Sequence, residues 1–157
     1  MDTPSVYIET SIVSYLAADP SRHPVTLRNQ QLTHEWWNTR REQYALFTSE
    51  FVLDEAAEGN PQLAQRRLAL LAPIQLLDVE VMEAEQFANE LQIRVPMPPQ
   101  AYADAMHIAA AAIRGMAHVL TWNCKHIANP RLHPRIRRVC ESLGYNLPVL
   151  CTPADLK

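Results

Sequence analysis

The 157 residues are poor in glycine, in paired cysteine and in long apolar runs, and each shortage excludes something. Three glycines stand against twelve prolines, so the loops must be built from proline and polar residues. No apolar stretch approaches the roughly 20 residues that a bilayer crossing requires, and no membrane association is expected. The opening Met-Asp-Thr-Pro-Ser has neither the basic stretch nor the apolar core of an export signal. Cys124, Cys140 and Cys151 are odd in number and show no C-x-x-C spacing. They read as reduced thiols, and the expected location is the cytoplasm. Acid is missing locally: residues 105–140 contain six bases (Arg114, Lys125, Arg131, Arg135, Arg137, Arg138) and no Asp or Glu.

Length and balance suit one domain over residues 1–157, with 48% hydrophobic and 20% charged residues. A net charge of −3 argues against wholesale coating of nucleic acid, but its distribution matters more than its sum. Residues 41–104 hold eleven acids and four bases, and the acid-free stretch follows directly. Such clustering is either a solvated surface or an acidic site beside a basic strip. The second arrangement suits a metal-dependent enzyme acting on a polyanion.

Hydrophobic spacing predicts alternating strands and helices. Residues 6–8 read as a short buried strand, followed at once by a helical run from 10 to 16. Residues 24–42 carry Leu27, Leu32, Trp36 and Trp37 at helical spacing. Residues 44–48 form a second strand, and 51–58 a helix stopped by Gly59-Asn60-Pro61. A helix at 63–71, a strand at 74–79 and an amphipathic helix at 80–91 precede a proline loop at 96–99. Residues 101–114 are apolar on nearly every face, which predicts a helix buried on both sides. A strand at 118–121, a basic helix at 133–143 and a strand at 148–151 complete the chain. This alternation predicts an α/β domain with a mainly parallel central sheet.

In open parallel sheets, sites form beyond the carboxyl ends of the strands. The first strand ends in Glu9-Thr10-Ser11 and the strand at 118–121 in Thr121-Trp122-Asn123, while two helices add Glu55 and Asp104. Asp104 shares a helical stripe with Ala101, Ile108 and Ala111. A carboxylate on an apolar face is costly unless paired or metal-bound; the plainer reading is an acid favoured by the dipole at a helix start. Glu9 directly follows a buried strand, and a capping role there would fall more cheaply to Thr10 or Ser11. Glu55 has Asp54 and Glu58 close by, so one of the three is free to be merely solvated. Asn123 either caps the turn leading to Lys125 and His126 or faces a metal, and residue types alone leave both open. Three carboxylates and an amide are oxygen donors, which suits Mg2+ or Mn2+. Zinc is disfavoured, because His107 and His126 lack a partner at fixed spacing and read as surface or packing residues. Ser11 and Ser49 sit in no nucleophile elbow, which removes a serine hydrolase.

The stretches VYIETSIVSYL, TSEFVLDEAAEGNP, YADAMHIAAAAIRG, HVLTWNCKHIANP and VLCTPADL run from residue 6 to residue 156. Together they resemble the PIN-domain family, in particular the VapC-like toxin ribonucleases of type II toxin–antitoxin pairs. The resemblance implies a PIN-like three-layer α/β/α fold with acids gathered around one or two metal ions. It implies Glu9, Glu55, Asp104 and Asn123 as catalytic residues, with Glu9, Asp104 and Asn123 holding Mg2+ (or Mn2+). Glu55 would position the metal or accept a proton from the attacking water. Thr10, Ser11 and Thr121 would orient these groups. Lys125, Arg131, Arg135 and Arg138 would contact RNA phosphates. Glu9 stands where the family usually carries aspartate, and Asn123 where many members carry a fourth aspartate. The longer side chain and the lost charge favour one well-held ion over two.

The implied activity is that of an endoribonuclease using a metal-activated water, with no covalent intermediate. RNA is the implied substrate and an antitoxin protein the implied partner. A homodimer is expected from the resemblance and from the aromatic surface that Trp36, Trp37, Leu32 and Tyr44 would offer. One rival is a catalytically weakened PIN module acting as an RNA- or protein-binding regulator, for which Glu9 and Asn123 speak. Another is a doubly wound phosphoacceptor domain, which would need aspartate at a strand end where this chain has glutamate and asparagine.

Overall fold

Val6, Tyr7 and Ile8 have no solvent exposure, and their strand, β1 (Ser5–Ile8), lies in the middle of the sheet. The structure, a computed structural model, describes residues 3–157. Met1 and Asp2, the first residues of the stretch without export-signal character, lie outside the described residues. From β1 the chain runs through α1 (Thr10–Ala17), α2 (Pro24–Thr39) and a 3-10 turn (Arg41–Gln43) into β2 (Ala45–Thr48). Helices α3 (Glu50–Ala56) and α4 (Pro61–Leu71) lead to β3 (Gln75–Leu76). Next come α5 (Val81–Arg94), a second 3-10 turn (Pro99–Ala101), α6 (Tyr102–Ile113) and β4 (His118–Leu120). Helix α7 (His133–Ser142) then connects to β5 (Val149–Cys151).

Among the described residues the five strands are all parallel, in the order β3-β2-β1-β4-β5. The chain steps outward from β1 to β3, then crosses back beyond β1 to build β4 and β5. With right-handed crossovers, this reversal puts α1 to α4 on one face and α5 to α7 on the other. Helix packing agrees: α1 lies against α2, α3 and α4, whereas α5 lies against α6 and α7. The result is three layers around a fully parallel sheet. The reversal falls between β1 and β4, where open α/β sheets form their binding crevice. Ile8 is registered with Leu120, so Glu9 and Thr121 emerge from neighbouring strands. The Glu9 amide still donates to the Leu120 carbonyl at 3.1 Å.

Helix α6 is buried throughout Ala105, Met106, His107, Ile108 and the four alanines 109–112, as its all-round apolar sequence requires. Elsewhere the structure departs from the sequence reading. The strand expected at 74–79 shrinks to two residues because β3 is an edge strand, bonded to β2 alone. Helix α7 begins at His133 with Pro134 in its first turn, so Arg131 lies outside it. The aromatic surface expected near α2 is absent, since Trp36 and Trp37 are 2% and 7% exposed. Trp36 stacks on Tyr44 with centroids 5.7 Å apart, and the Arg41 guanidinium lies 4.7 Å over Trp37. These rings serve the protein's own core, and the aromatic argument for a homodimer falls with them. Among the described residues, no helix is long and apolar enough to cross a membrane. All three cysteines are free, and burial pushes the Cys140 and Cys151 thiols up to about 12.

Candidate active site

Glu9 occupies the N-cap position of α1, yet its side chain makes no capping bond. It is 6% exposed, and its Oε1 accepts from Ser11 Oγ at 2.5 Å and from Thr121 Oγ1 at 2.6 Å. A buried carboxylate is tolerated when charge-assisted donors replace its water. Both hydroxyls also bind the chain leaving β4. Ser11 Oγ accepts from the Trp122 amide at 2.8 Å, and Thr121 Oγ1 accepts from the Asn123 amide at 2.9 Å. The end of β1 and the exit from β4 are thus tied together at the acid.

Glu55 stands near the end of α3. Its Oε1 accepts from Thr10 Oγ1 at 2.6 Å and lies 2.5 Å from His107 Nε2. On the other side of the ring, His107 Nδ1 lies 2.7 Å from Tyr7 Oη, which is 2.7 Å from Ser49 Oγ. Ser49 is the N-cap of α3. A single chain of hydrogen bonds therefore runs Ser49–Tyr7–His107–Glu55–Thr10, joining both ends of α3 to β1, α6 and the start of α1. Burial works to lower the His107 pKa. The Glu55 hydrogen bond and the charges of Glu9, Glu55 and Asp104 outweigh it and hold the pKa above its ordinary value. Burial works to raise the Glu55 pKa, but the hydrogen bond and charge of His107 and the Thr10 hydroxyl keep it below its ordinary value. Both shifts favour a carboxylate at Glu55 that accepts from the His107 ring. Burial, aided by the neighbouring acids, keeps Tyr7 a neutral phenol.

Donor atoms of Glu9, Glu55 and His107 lie within 4.8 Å of one another, the one such group of three or more His, Cys, Asp or Glu among the described residues. Asp104 is not in it. From the first turn of α6 its Oδ2 lies 3.0 Å from His126 Nδ1, with both side chains largely shielded. Asn123 Oδ1 accepts from the His126 amide at 2.9 Å, and its carbonyl accepts from Ile127 and Ala128. Of the four residues expected to be catalytic, the structure brings Glu9 and Glu55 together. It places Asp104 with His126 and directs the Asn123 oxygen into its own turn.

The histidines are what the sequence reading passed over. His107 is 1% exposed and hydrogen-bonded through both nitrogens, and His126 is paired with an acid. The signal that pointed to Asp104, a polar side chain in an apolar helix, applied equally to His107 three residues later. Among the expected RNA contacts, Lys125 is exposed in the turn that Asn123 heads, and Arg131 in the loop before α7. Arg135 and Arg138 project from α7 opposite the buried Ile136, Val139 and Cys140. None of these four cations has an ion-pair partner among the described residues. Arg94 of α5, which the sequence did not single out, lines a hollow of about 180 Å³ with Arg135 and Arg138.

No protein-family model and no curated protein sequence matches the chain. Solved structures do. The chain is similar to Mycobacterium tuberculosis VapC20, a sarcin–ricin loop cleaving toxin, at 15% identity and a TM-score of 0.59, covering 89% of this chain and 95% of that one. It is also similar to VapBC2 from Rickettsia felis, solved with a DNA fragment from its promoter. There the identity is 15% and the TM-score 0.55, over 82% of this chain and 95% of that one. At such identity the likeness is one of fold. The fold is PIN-like: a parallel sheet between two helical layers, with its crevice at the reversal between β1 and β4.

Proposed function

We propose that this protein is a divalent-metal-dependent endoribonuclease that acts as the toxin of a toxin–antitoxin pair. The observation that carries this reading is the Glu9–Glu55 pair at the sheet's crevice. In each carboxylate Oε1 is held by hydroxyl or imidazole donors, while Oε2 has no protein hydrogen bond among the described residues. Two carboxylates this close repel each other unless positive charge joins them. Their free oxygens are hard donors of the kind Mg2+ and Mn2+ prefer. Glu9 and Glu55 fit such an ion and would hold it, while Asp104, outside that close group, would reach it through a water or a change of rotamer.

The ion, when bound, supplies positive charge against the phosphoryl oxygens and lowers the pKa of a water. The chain's own groups do the rest. Ser11 and Thr121 fix the Glu9 carboxylate from the side of β4. Thr10 and His107 fix Glu55 Oε1, which places the carboxylate to hold the ion or to take a proton from the attacking water. Asn123 shapes the turn that sets His126 against Asp104. Lys125, Arg131, Arg135 and Arg138, together with Arg94, would follow the RNA backbone without reading its sequence. The toxin role, an antitoxin partner, action in the cytoplasm and a homodimeric state belong to the same reading. The likeness to VapC20, a toxin, supports the toxin role, and the partner, the location and the dimeric state rest on the resemblance of the sequence motifs.

The test is cleavage of a structured RNA with Mn2+, Mg2+ or chelator, by the parent and by Glu9→Gln and Asp104→Asn proteins purified in parallel. Ion-dependent cleavage by the parent alone is expected. Equal cleavage by Glu9→Gln would expose a contaminating ribonuclease. RNA binding without cleavage by the parent would favour the weakened regulator instead.

A further inference from the structure

We propose that His107 is a positioning residue that fixes the Glu55 carboxylate for ion binding and is not itself an ion ligand. The proposal rests on the reading of Glu9 and Glu55 as the ion's holders. Proximity alone would make His107 a third ligand, since its nitrogen lies within 4.8 Å of both acids. The hydrogen bonds argue otherwise. A ligating imidazole needs a free lone pair directed at the ion. Nε2 faces Glu55 Oε1 at 2.5 Å, and Nδ1 faces Tyr7 Oη at 2.7 Å, so neither nitrogen is turned toward an open position. Both nitrogens are engaged along the chain from Ser49 to Glu55.

The two ends of that chain differ in freedom. Tyr7, Ser49 and His107 are 0%, 1% and 1% exposed, and they sit on the central strand, a helix N-cap and the most buried helix. The Glu55 side chain is 34% exposed, on a seven-residue helix that ends one residue later. Left alone, a glutamate there would distribute over several rotamers. Thr10 restrains it from one side, and His107 ties it to the rigid interior from the other. With Oε1 fixed at both contacts, Oε2 is confined to one direction before any ion arrives. Ordering ligands in advance removes that cost from the binding step. An imidazole in an apolar helix is tolerated only when bonded, and this one is bonded in the manner that orients a ligand.

The experiment measures Mn2+ affinity from the electron paramagnetic resonance of the free ion, using full-length parent, His107→Leu, His107→Gln and Tyr7→Phe proteins. Thermal unfolding of each protein is recorded alongside, and pulsed resonance of bound Mn2+ reports coordinated nitrogen. His107→Leu should weaken binding about 10- to 100-fold, the range for groups that orient ligands. His107→Gln, whose amide can still donate to Glu55, should recover most of that loss. Tyr7→Phe should weaken binding by a smaller factor, and the parent should show no directly coordinated nitrogen. Parental affinity in His107→Leu would overturn the proposal. So would a coordinated-nitrogen signal that vanishes in that variant, which would make His107 a ligand. Should His107→Leu not fold, Tyr7→Phe decides: parental affinity in that folded protein overturns the positioning role. Mn2+ binding without RNA cleavage by the parent would refute the ribonuclease reading and leave His107 to be judged by affinity. A parent that binds no Mn2+ overturns both.

Discussion

Replacing Thr121 with valine keeps the branched shape and removes one hydroxyl with no solvent exposure. That hydroxyl donates to Glu9 Oε1 at 2.6 Å and accepts from the Asn123 amide at 2.9 Å. Losing the donor to a charged, buried acceptor costs about 1.5–3 kcal/mol, and the stranded amide costs about 1 kcal/mol. The methyl that takes its place offsets about 0.8 kcal/mol through burial. Net destabilisation should be about 2–3 kcal/mol, which for this chain length lowers Tm by roughly 4–12 °C. Urea unfolding followed by circular dichroism, in chelator so that no ion masks the effect, measures it. Ser11→Ala removes the other donor to the same oxygen. The double variant should lose more than the sum of the two, because Glu9 then keeps no donor. A Thr121→Val protein within about 0.5 kcal/mol of the parent, typical of an inconsequential substitution, would refute the claim that these hydroxyls make the buried acid tolerable. Strict additivity would refute their convergence on one oxygen.

The His107–Glu55 pair gives the chelated protein a pH window. The folded His107 pKa lies above the ordinary 6.5, so its contribution is complete below 6.5 and lost as pH rises through the folded value. The folded Glu55 pKa lies below the ordinary 4.5, so its contribution is complete above 4.5 and lost as pH falls through the folded value. The stability difference between parent and His107→Gln should therefore be largest from 4.5 to 6.5 and shrink above; a difference that grows at alkaline pH contradicts the sign. Asn123→Ala should cost about 1 kcal/mol as a lost cap and loosen His126 from Asp104, seen in histidine nitrogen shifts. Asn123→Asp keeps the accepting oxygen and should leave Mn2+ stoichiometry unchanged; a second bound ion would mean that the side chain faces the metal. The triple change Arg131→Ala, Arg135→Ala, Arg138→Ala should weaken RNA binding regardless of sequence, in an Asp104→Asn background with Ca2+. Each lost contact should flatten the log–log salt dependence by about 0.7, and an unaltered slope would make the strip a solvated face.

Local pattern is legible in the sequence. The apolar spacings of residues 6–8, 63–71 and 101–114 report which side chains turn inward, and they mark β1, α4 and α6 within a few residues. Strand–helix alternation then implies a parallel sheet, and Glu9 stood out as an acid following a buried strand. The sequence alone could not say which strand neighbours which. The β3-β2-β1-β4-β5 order sets the reversal beside Glu9, and it is a property of the crossovers. Nor could it find partners for His107, which lie 100 and 52 residues away in Tyr7 and Glu55. The Thr121 hydroxyl on Glu9 spans 112 residues. The tryptophans of α2 misled for the same reason, since whether an aromatic ring is surface or core depends on what folds over it. Hydrophobic periodicity is a property of neighbouring residues and is visible in one dimension. A hydrogen bond across half the chain exists only once sheet register and helix packing have brought its ends within about 3 Å.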